Sequence, residues 1–197
     1  MKLDHLNDDT IKEILMIQDR LKVMDAKSES RDSFLGYIKH VWPEFIEGEH
    51  HRLFAQKLED VAKGKIKRLI VNMPPRHTKS EFASVYFPSW FMGLKPNTKI
   101  MQTTHTAELS VRFGRKVRNL MDQNEYKQLF DDFGLSADSK SAGRWETNKG
   151  GEYFAAGVGG AITGRGADLL IIDDPHSEQD AMSPSALENA WEWYSSG

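Results

Sequence analysis

Two hydrophobic spacings divide the chain. Over residues 9–25, Ile11, Ile14, Leu15, Leu21 and Met24 fall on roughly one helical face, with Asn7 or Asp8 as the cap. Residues 31–41 predict a second short helix, ended by Trp42-Pro43. Residues 49–63 predict a third, with Leu53, Leu58 and Val61 apolar and Gly64 as the stop. From Arg68 the spacing changes. Short apolar runs at 68–73, 98–103, 152–156 and 169–173 predict strands. Helical stretches at 79–92 and 106–121 follow the first two, and a last helix spans 184–194, with Ser183 as cap and Pro184 in its first position. Residues 136–151 are polar and contain glycine, which suits a loop or hairpin, and 157–166 form a glycine-rich connector.

Strands alternating with helices predict an α/β fold: a mainly parallel sheet flanked by helices, preceded by a helical segment. This divides the chain into an N-terminal helical, lid-like segment at 1–65 and a core at 66–197. Ligands of such sheets sit beyond the carboxyl ends of the strands. The polar segments 74–80 and 173–178 both lie just there.

Composition narrows the choice. With 197 residues and 39% hydrophobic content the chain can build one sizeable core. A net charge of −3 gives no global basic field, so nucleic-acid contact would need a local patch. The absence of cysteine excludes disulfides, thiolate-zinc sites and thiol nucleophiles. The charged start MKLDHLNDDT lacks the apolar run of a signal peptide, and Leu169–Ile172 is far too short to span a membrane.

The chemistry begins at RLIVNMPPRHTKS, residues 68–80. A phosphate-binding loop needs successive backbone amides in one concavity, a lysine for the β and γ phosphates, and a hydroxyl for magnesium. Lys79 and Ser80 hold the last two places of G-x-x-x-x-G-K-S, while Met73 and Thr78 replace its glycines. Pro74 and Pro75 have no N–H, so the donors are Arg76, His77, Thr78, Lys79 and Ser80. A β-branched Thr78 resists the positive φ this place often requires. The competing reading is an ordinary turn before a helix with a surface lysine. LLIIDDPHSE, residues 169–178, is the complementary motif: aliphatics, then acids at the strand end. Asp173 is a magnesium ligand and either Asp174 or Glu178 the group that orients or deprotonates water. Alone, that segment also reads as a buried strand followed by an Asp-Asp-Pro turn. The two segments at equivalent points of one sheet favour a shared site.

Three stretches resemble the ATPase domain of the large terminase subunit, the DNA-packaging motor of tailed bacteriophages. They are GEHHRLFAQKLEDVAKGKIKRLIVNMPPRHTKS, TTHTAELSVRFGRKVRNL and GVGGAITGRGADLLIIDDP, within roughly residues 40–195. The resemblance implies an additional-strand P-loop NTPase fold that hydrolyses ATP with Mg2+ and drives double-stranded DNA into a procapsid. It implies a homo-oligomeric ring with portal protein and small terminase subunit as partners, acting in the host cytoplasm without a membrane. Arg165, between two glycines, is implied to be an arginine finger reaching a neighbouring subunit, where its guanidinium would pair transition-state charge. Arg76 would reach the γ-phosphate in cis, or form a surface ion pair. His50 or His51 would lie near the adenine, or simply cap the third helix. Family members continue into a strand carrying the coupling motif and an RNase H-like nuclease. Neither is found in these residues, so the expectation is a fragment with weak hydrolysis and no nuclease activity. Arg112, Arg115 and Lys116 share a helical face that suits either DNA phosphates or solvent. Competing functions are a helicase-like or recombination ATPase, and a nucleotide-binding fragment without turnover.

Overall fold

A computed structural model describes residues 8–162 and 164–196, apart from the side chains of Asp8 and residues 138–140. The cap expected at Asn7 or Asp8 lies outside them. Helices α1 (Asp8–Asp32), α2 (Phe34–Val41) and α3 (Glu49–Ala62) come first. Ser33 separates α1 from α2 by accepting the Gly36 N–H as an N-cap, the role for which a short hydroxyl side chain is suited. α1 runs seven residues beyond the expected end at 25, and Leu15, Met16, Leu21 and Met24 on it are exposed. Its C-terminal end is tied down by the Trp90 indole N–H, which donates to the Arg31 carbonyl at 2.7 Å.

The helix expected at 79–92 is one continuous run of three kinds: α4 (Lys79–Glu81), a π-helical turn (Phe82–Tyr86) and α5 (Phe87–Leu94). Pro88 explains the wide turn. Proline lacks an N–H and its ring collides with the carbonyl four residues back. In the widened turn Phe87 N–H donates to the Phe82 carbonyl, five residues back, which makes room for the ring.

Strand β1 (Lys99–Thr104) follows, then α6 (Ala107–Met121), capped by Thr106, and α7 (Asn124–Leu129). The stretch 136–151 contains a hairpin, β2 (Leu135–Lys140) with β3 (Arg144–Thr147), followed by β4 (Glu152–Gly157) and β5 (Leu169–Ile172). A 3-10 turn (Asp180–Met182) and α8 (Pro184–Ser196) complete the described chain. The five-stranded sheet has the order β2-β3-β4-β1-β5. β4, β1 and β5 are parallel, with Ile100 opposite Leu169 and Tyr153, whereas β2 and β3 are antiparallel. The expected α/β architecture is present, with a mixed sheet.

One predicted strand is missing. Residues 68–73 form no ladder. Leu69, Val71 and Met73 pack on the core while Ile70 is 88% exposed, so the side chains alternate as in a strand. Hydrophobic alternation fixes which side faces the core, but a strand also requires a hydrogen-bonded neighbour. β2 and β5 form the two edges of the sheet among the described residues.

The main core joins α2 and α3 (Phe34, Tyr37, Phe54, Leu58) to the sheet and its helices (Trp90, Val117, Trp145, Tyr153, Ile171). Residues on both sides of position 65 contribute to this core. Trp90 and Phe91 are buried, and Trp42 and Phe45 pack at the margin. No helix among the described residues is long and apolar enough to cross a membrane.

Candidate functional site

The loop and the acidic strand end meet. Lys79 opens α4, and Asp173 and Asp174 follow the last residue of β5. The Lys79 ammonium lies 3.2 Å from Asp173 Oδ1 and donates to Asp174 Oδ1. These groups stand 94 and 95 residues apart in the chain (173 − 79 and 174 − 79). Burial works against the ammonium, but the hydrogen bond to Asp174 and the charge of Asp173 outweigh it, holding Lys79 above the ordinary lysine range.

Asp173 is 5% exposed and held from three directions. Its N–H donates to the Thr103 carbonyl at 2.9 Å, extending the β5 ladder by one residue. Lys79 approaches Oδ1, and Ser84 Oγ donates to Oδ2 at 2.9 Å. Since the single hydroxyl hydrogen of Ser84 goes to Asp173, its oxygen accepts from Gln102 Nε2 at 3.3 Å. Gln102 Oε1 has no partner among the described residues. Asp174 is held by its backbone: its carbonyl accepts from His105 N–H at 3.1 Å and from His105 Nδ1 at 3.2 Å.

The backbone here is strained. Arg76 (φ 63°), Thr78 (φ 62°) and Asp174 (φ 45°) are three of the four non-glycine residues with positive φ among those described. Left-handed conformations without glycine cost on the order of 1–3 kcal/mol each, and persist where the surroundings fix them. Alternating left- and right-handed residues turn successive amides into one concavity, which suits an anion. The first turn of α4 adds amides that a helix start leaves unpaired. Thr78 thus adopts the conformation that glycine provides in the standard motif.

Other expected residues are distributed around this centre. Ser80 is half-buried in the first turn of α4. Arg76 is exposed, and exposed His77 donates from Nδ1 to the Pro75 carbonyl at 2.9 Å. Glu178 is exposed, within the turn that Asp180 closes on Ser177. His51 is buried with both ring nitrogens bonded: Nδ1 accepts from Gly48 N–H at 2.9 Å, and Nε2 lies 2.8 Å from Thr78 Oγ1. Burial first, then His50, holds it below the ordinary imidazole range. His51 is therefore the helix cap and offers adenine no free nitrogen in this arrangement.

Arg165 is not brought into the centre. Its guanidinium lies 4.1 Å from the Phe154 ring centroid and 3.7 Å from Glu152. Glu152 starts β4 opposite Lys99, at the amino ends of the parallel strands. Five residues at ~3.3 Å each put that end about 17 Å from the level of Asp173. On α6, Lys116 bonds Glu81 at 2.6 Å and so ties α6 to α4, while Arg112 and Arg115 are exposed.

Sequence reasoning missed Ser84, Gln102 and His105. Ser84 was legible in retrospect: it lies one helical turn beyond Ser80 and is a polar residue inside the apolar run EFASVYF. Gln102 is a fully buried polar residue of β1, beside the buried Thr103 and Thr104.

Magnesium prefers oxygen ligands, commonly one or two carboxylates completed by water and phosphate. Asp173 and the Ser80 hydroxyl supply that chemistry. No group of three or more His, Cys, Asp or Glu able to hold a metal occurs among the described residues. Comparison with family profiles, curated proteins and solved structures finds no match to this chain.

Proposed function

We propose that the chain is a P-loop ATPase, the ATPase domain of a viral DNA-packaging motor of the large terminase type. The observation that supports it best is the convergence of Lys79 on Asp173 and Asp174 beyond the carboxyl end of β5. A lysine bound to two carboxylates carries over to a triphosphate with the same charge complementarity. The positive φ of Arg76 and Thr78 suits the amide concavity that such a loop would need. The motor assignment rests on the three sequence stretches quoted above.

In this reading Lys79 exchanges its carboxylate partners for the β and γ phosphates. Ser80 and Asp173 would hold magnesium, which when bound supplies positive charge to the phosphate oxygens. Ser84 keeps the Asp173 carboxylate turned toward Lys79. Releasing Lys79 frees Asp174, 63% exposed at its side chain, to orient or deprotonate water. Glu178 is the other candidate for that role. Catalysis is positioning and charge stabilisation. Arg165 lies far from its own loop and would act in trans, so a monomer hydrolyses ATP slowly. Double-stranded DNA, portal protein and small subunit are the proposed partners, with the host cytoplasm as the site of action.

The test is ATP hydrolysis by the full chain with Mg2+, at rising protein concentration, beside Lys79→Ala and Asp173→Ala. The reading predicts a rate per chain that rises with concentration and falls at least 100-fold in both variants. Equal rates in all three proteins would end it.

A further inference from the structure

His51 carries a connection that its capping role does not need. Gly48 has no side chain to cap α3, so His51 at the third helical position accepts the Gly48 N–H instead. An accepting Nδ1 carries no proton. The neutral ring then holds its hydrogen on Nε2 and donates it to Thr78 Oγ1 at 2.8 Å. Thr78 in turn donates to the His77 carbonyl at 2.6 Å. Every bond in the series Gly48, His51, Thr78, His77 runs in one direction. The ring is clamped between Phe45, edge-on at 4.8 Å, and Phe82, stacked at 5.1 Å. Phe82 N–H donates to the Thr78 carbonyl at 2.9 Å as the helix begins, so Thr78 is held at its side chain by His51 and at its backbone by Phe82.

Thr78 is the β-branched residue with φ 62° directly before Lys79. Left alone, it would relax toward negative φ and redirect the start of α4. We propose that His51 is a positioning residue for the loop: through Nε2 it fixes Thr78 in the left-handed conformation and so sets the direction of Lys79. The proposal rests on the phosphate-loop reading for its functional meaning. It gives a physical reason why this loop dispenses with glycine: an imidazole from another element supplies the constraint that glycine makes unnecessary.

Two substitutions separate the halves of the ring. His51→Asn keeps an acceptor near Nδ1 for Gly48 but is too short to reach Thr78. His51→Gln places an amide nitrogen near Nε2. Thr78→Val removes the receiving hydroxyl and keeps the branch. Amide NMR spectra of the full chain and ATP titration with Mg2+ are then compared. The expected result has three parts. His51→Asn shifts or broadens the amides of 78–80 while leaving Gly48 in place, and weakens ATP binding about tenfold. His51→Gln restores most of both. Thr78→Val matches His51→Asn, and the double variant is no worse than either single one. Unmoved amides at 78–80 in His51→Asn, or additive losses in the double variant, would overturn the proposal. A wild-type chain that binds no ATP refutes the function proposed above, and the amide comparison then decides this inference on its own.

Discussion

Ser84→Ala is the sharpest probe of the buried half of the site. Ser84 is fully buried and donates to Asp173 Oδ2 at 2.9 Å, where the carboxylate is 5% exposed. Hydrogen bonds to a charged group contribute about 1.5–3 kcal/mol, and an acceptor left buried without a donor loses its solvation as well. The substitution also removes the acceptor of Gln102 Nε2, whose remaining contact, with the Thr103 carbonyl at 3.5 Å, is weak. We expect a destabilisation of about 2 kcal/mol. With a urea slope of about 2 kcal/mol/M, the unfolding midpoint falls by about 1 M at unchanged slope. In an Asp173→Asn background the carboxylate charge is gone and the same change should cost only about 0.5–1.5 kcal/mol, so the pair couples by about 1 kcal/mol. Equilibrium urea unfolding of the four proteins measures this cycle. A silent Ser84→Ala, or strictly additive losses, would refute the claim that Ser84 holds the ionised Asp173.

Lys79 gives a pH signature. Its folded-state pKa is raised, so its contribution to stability is complete below the unfolded value and is lost as pH rises past 10.5 through the folded value. Wild type should therefore lose more stability than Lys79→Met above pH 10.5 in urea titrations, and parallel curves would contradict the pairing. Glu47 gives the opposite sign: hydrogen bonds from Arg52 and Lys39 lower its carboxyl to about 2. Its contribution is present above the unfolded carboxylate pKa and lost as pH falls toward 2, and Arg52→Gln should move the titration measured by NMR back up. Gly93→Ala would set a Cβ 2.6 Å from the Phe130 ring, a steric conflict worth about 1–3 kcal/mol. At about 2–4 °C per kcal/mol its melting temperature should fall by roughly 2–12 °C, and no fall would show that Phe130 can yield.

Where periodicity and burial agree, the fold was legible. β1, β4, β5 and α6 lie close to where the apolar spacing put them. The end of α1 was not legible, because residues 26–32 are mostly small or charged and the helix leaves them largely exposed, without an apolar face to read. The segment 68–73 was misread as a strand, because apolar alternation records which side is buried and says nothing about a hydrogen-bonded neighbour. The meeting of Lys79 with Asp173 and Asp174 was legible from two polar segments that each follow an apolar run, although only the second run, β5, belongs to the sheet. The supports of that meeting were not. Ser84 left a trace as a polar residue in an apolar run, but the partners of Ser84, Gln102, His105 and His51 lie 18 to 89 residues away in the chain, and no local spacing records such pairings. Arg165 shows a further limit: its glycine neighbours mark a mobile-looking connector in sequence, yet its guanidinium is seated on Phe154 and Glu152.

The most direct test of the shared phosphate pocket is calorimetric titration of a non-hydrolysable ATP analogue into the full chain, with and without Mg2+. Wild type should bind one analogue per chain, Lys79→Ala should bind at least tenfold more weakly, and Asp173→Asn should lose the gain that Mg2+ gives wild type. Undiminished affinity in Lys79→Ala, together with an unchanged Mg2+ effect in Asp173→Asn, would contradict it.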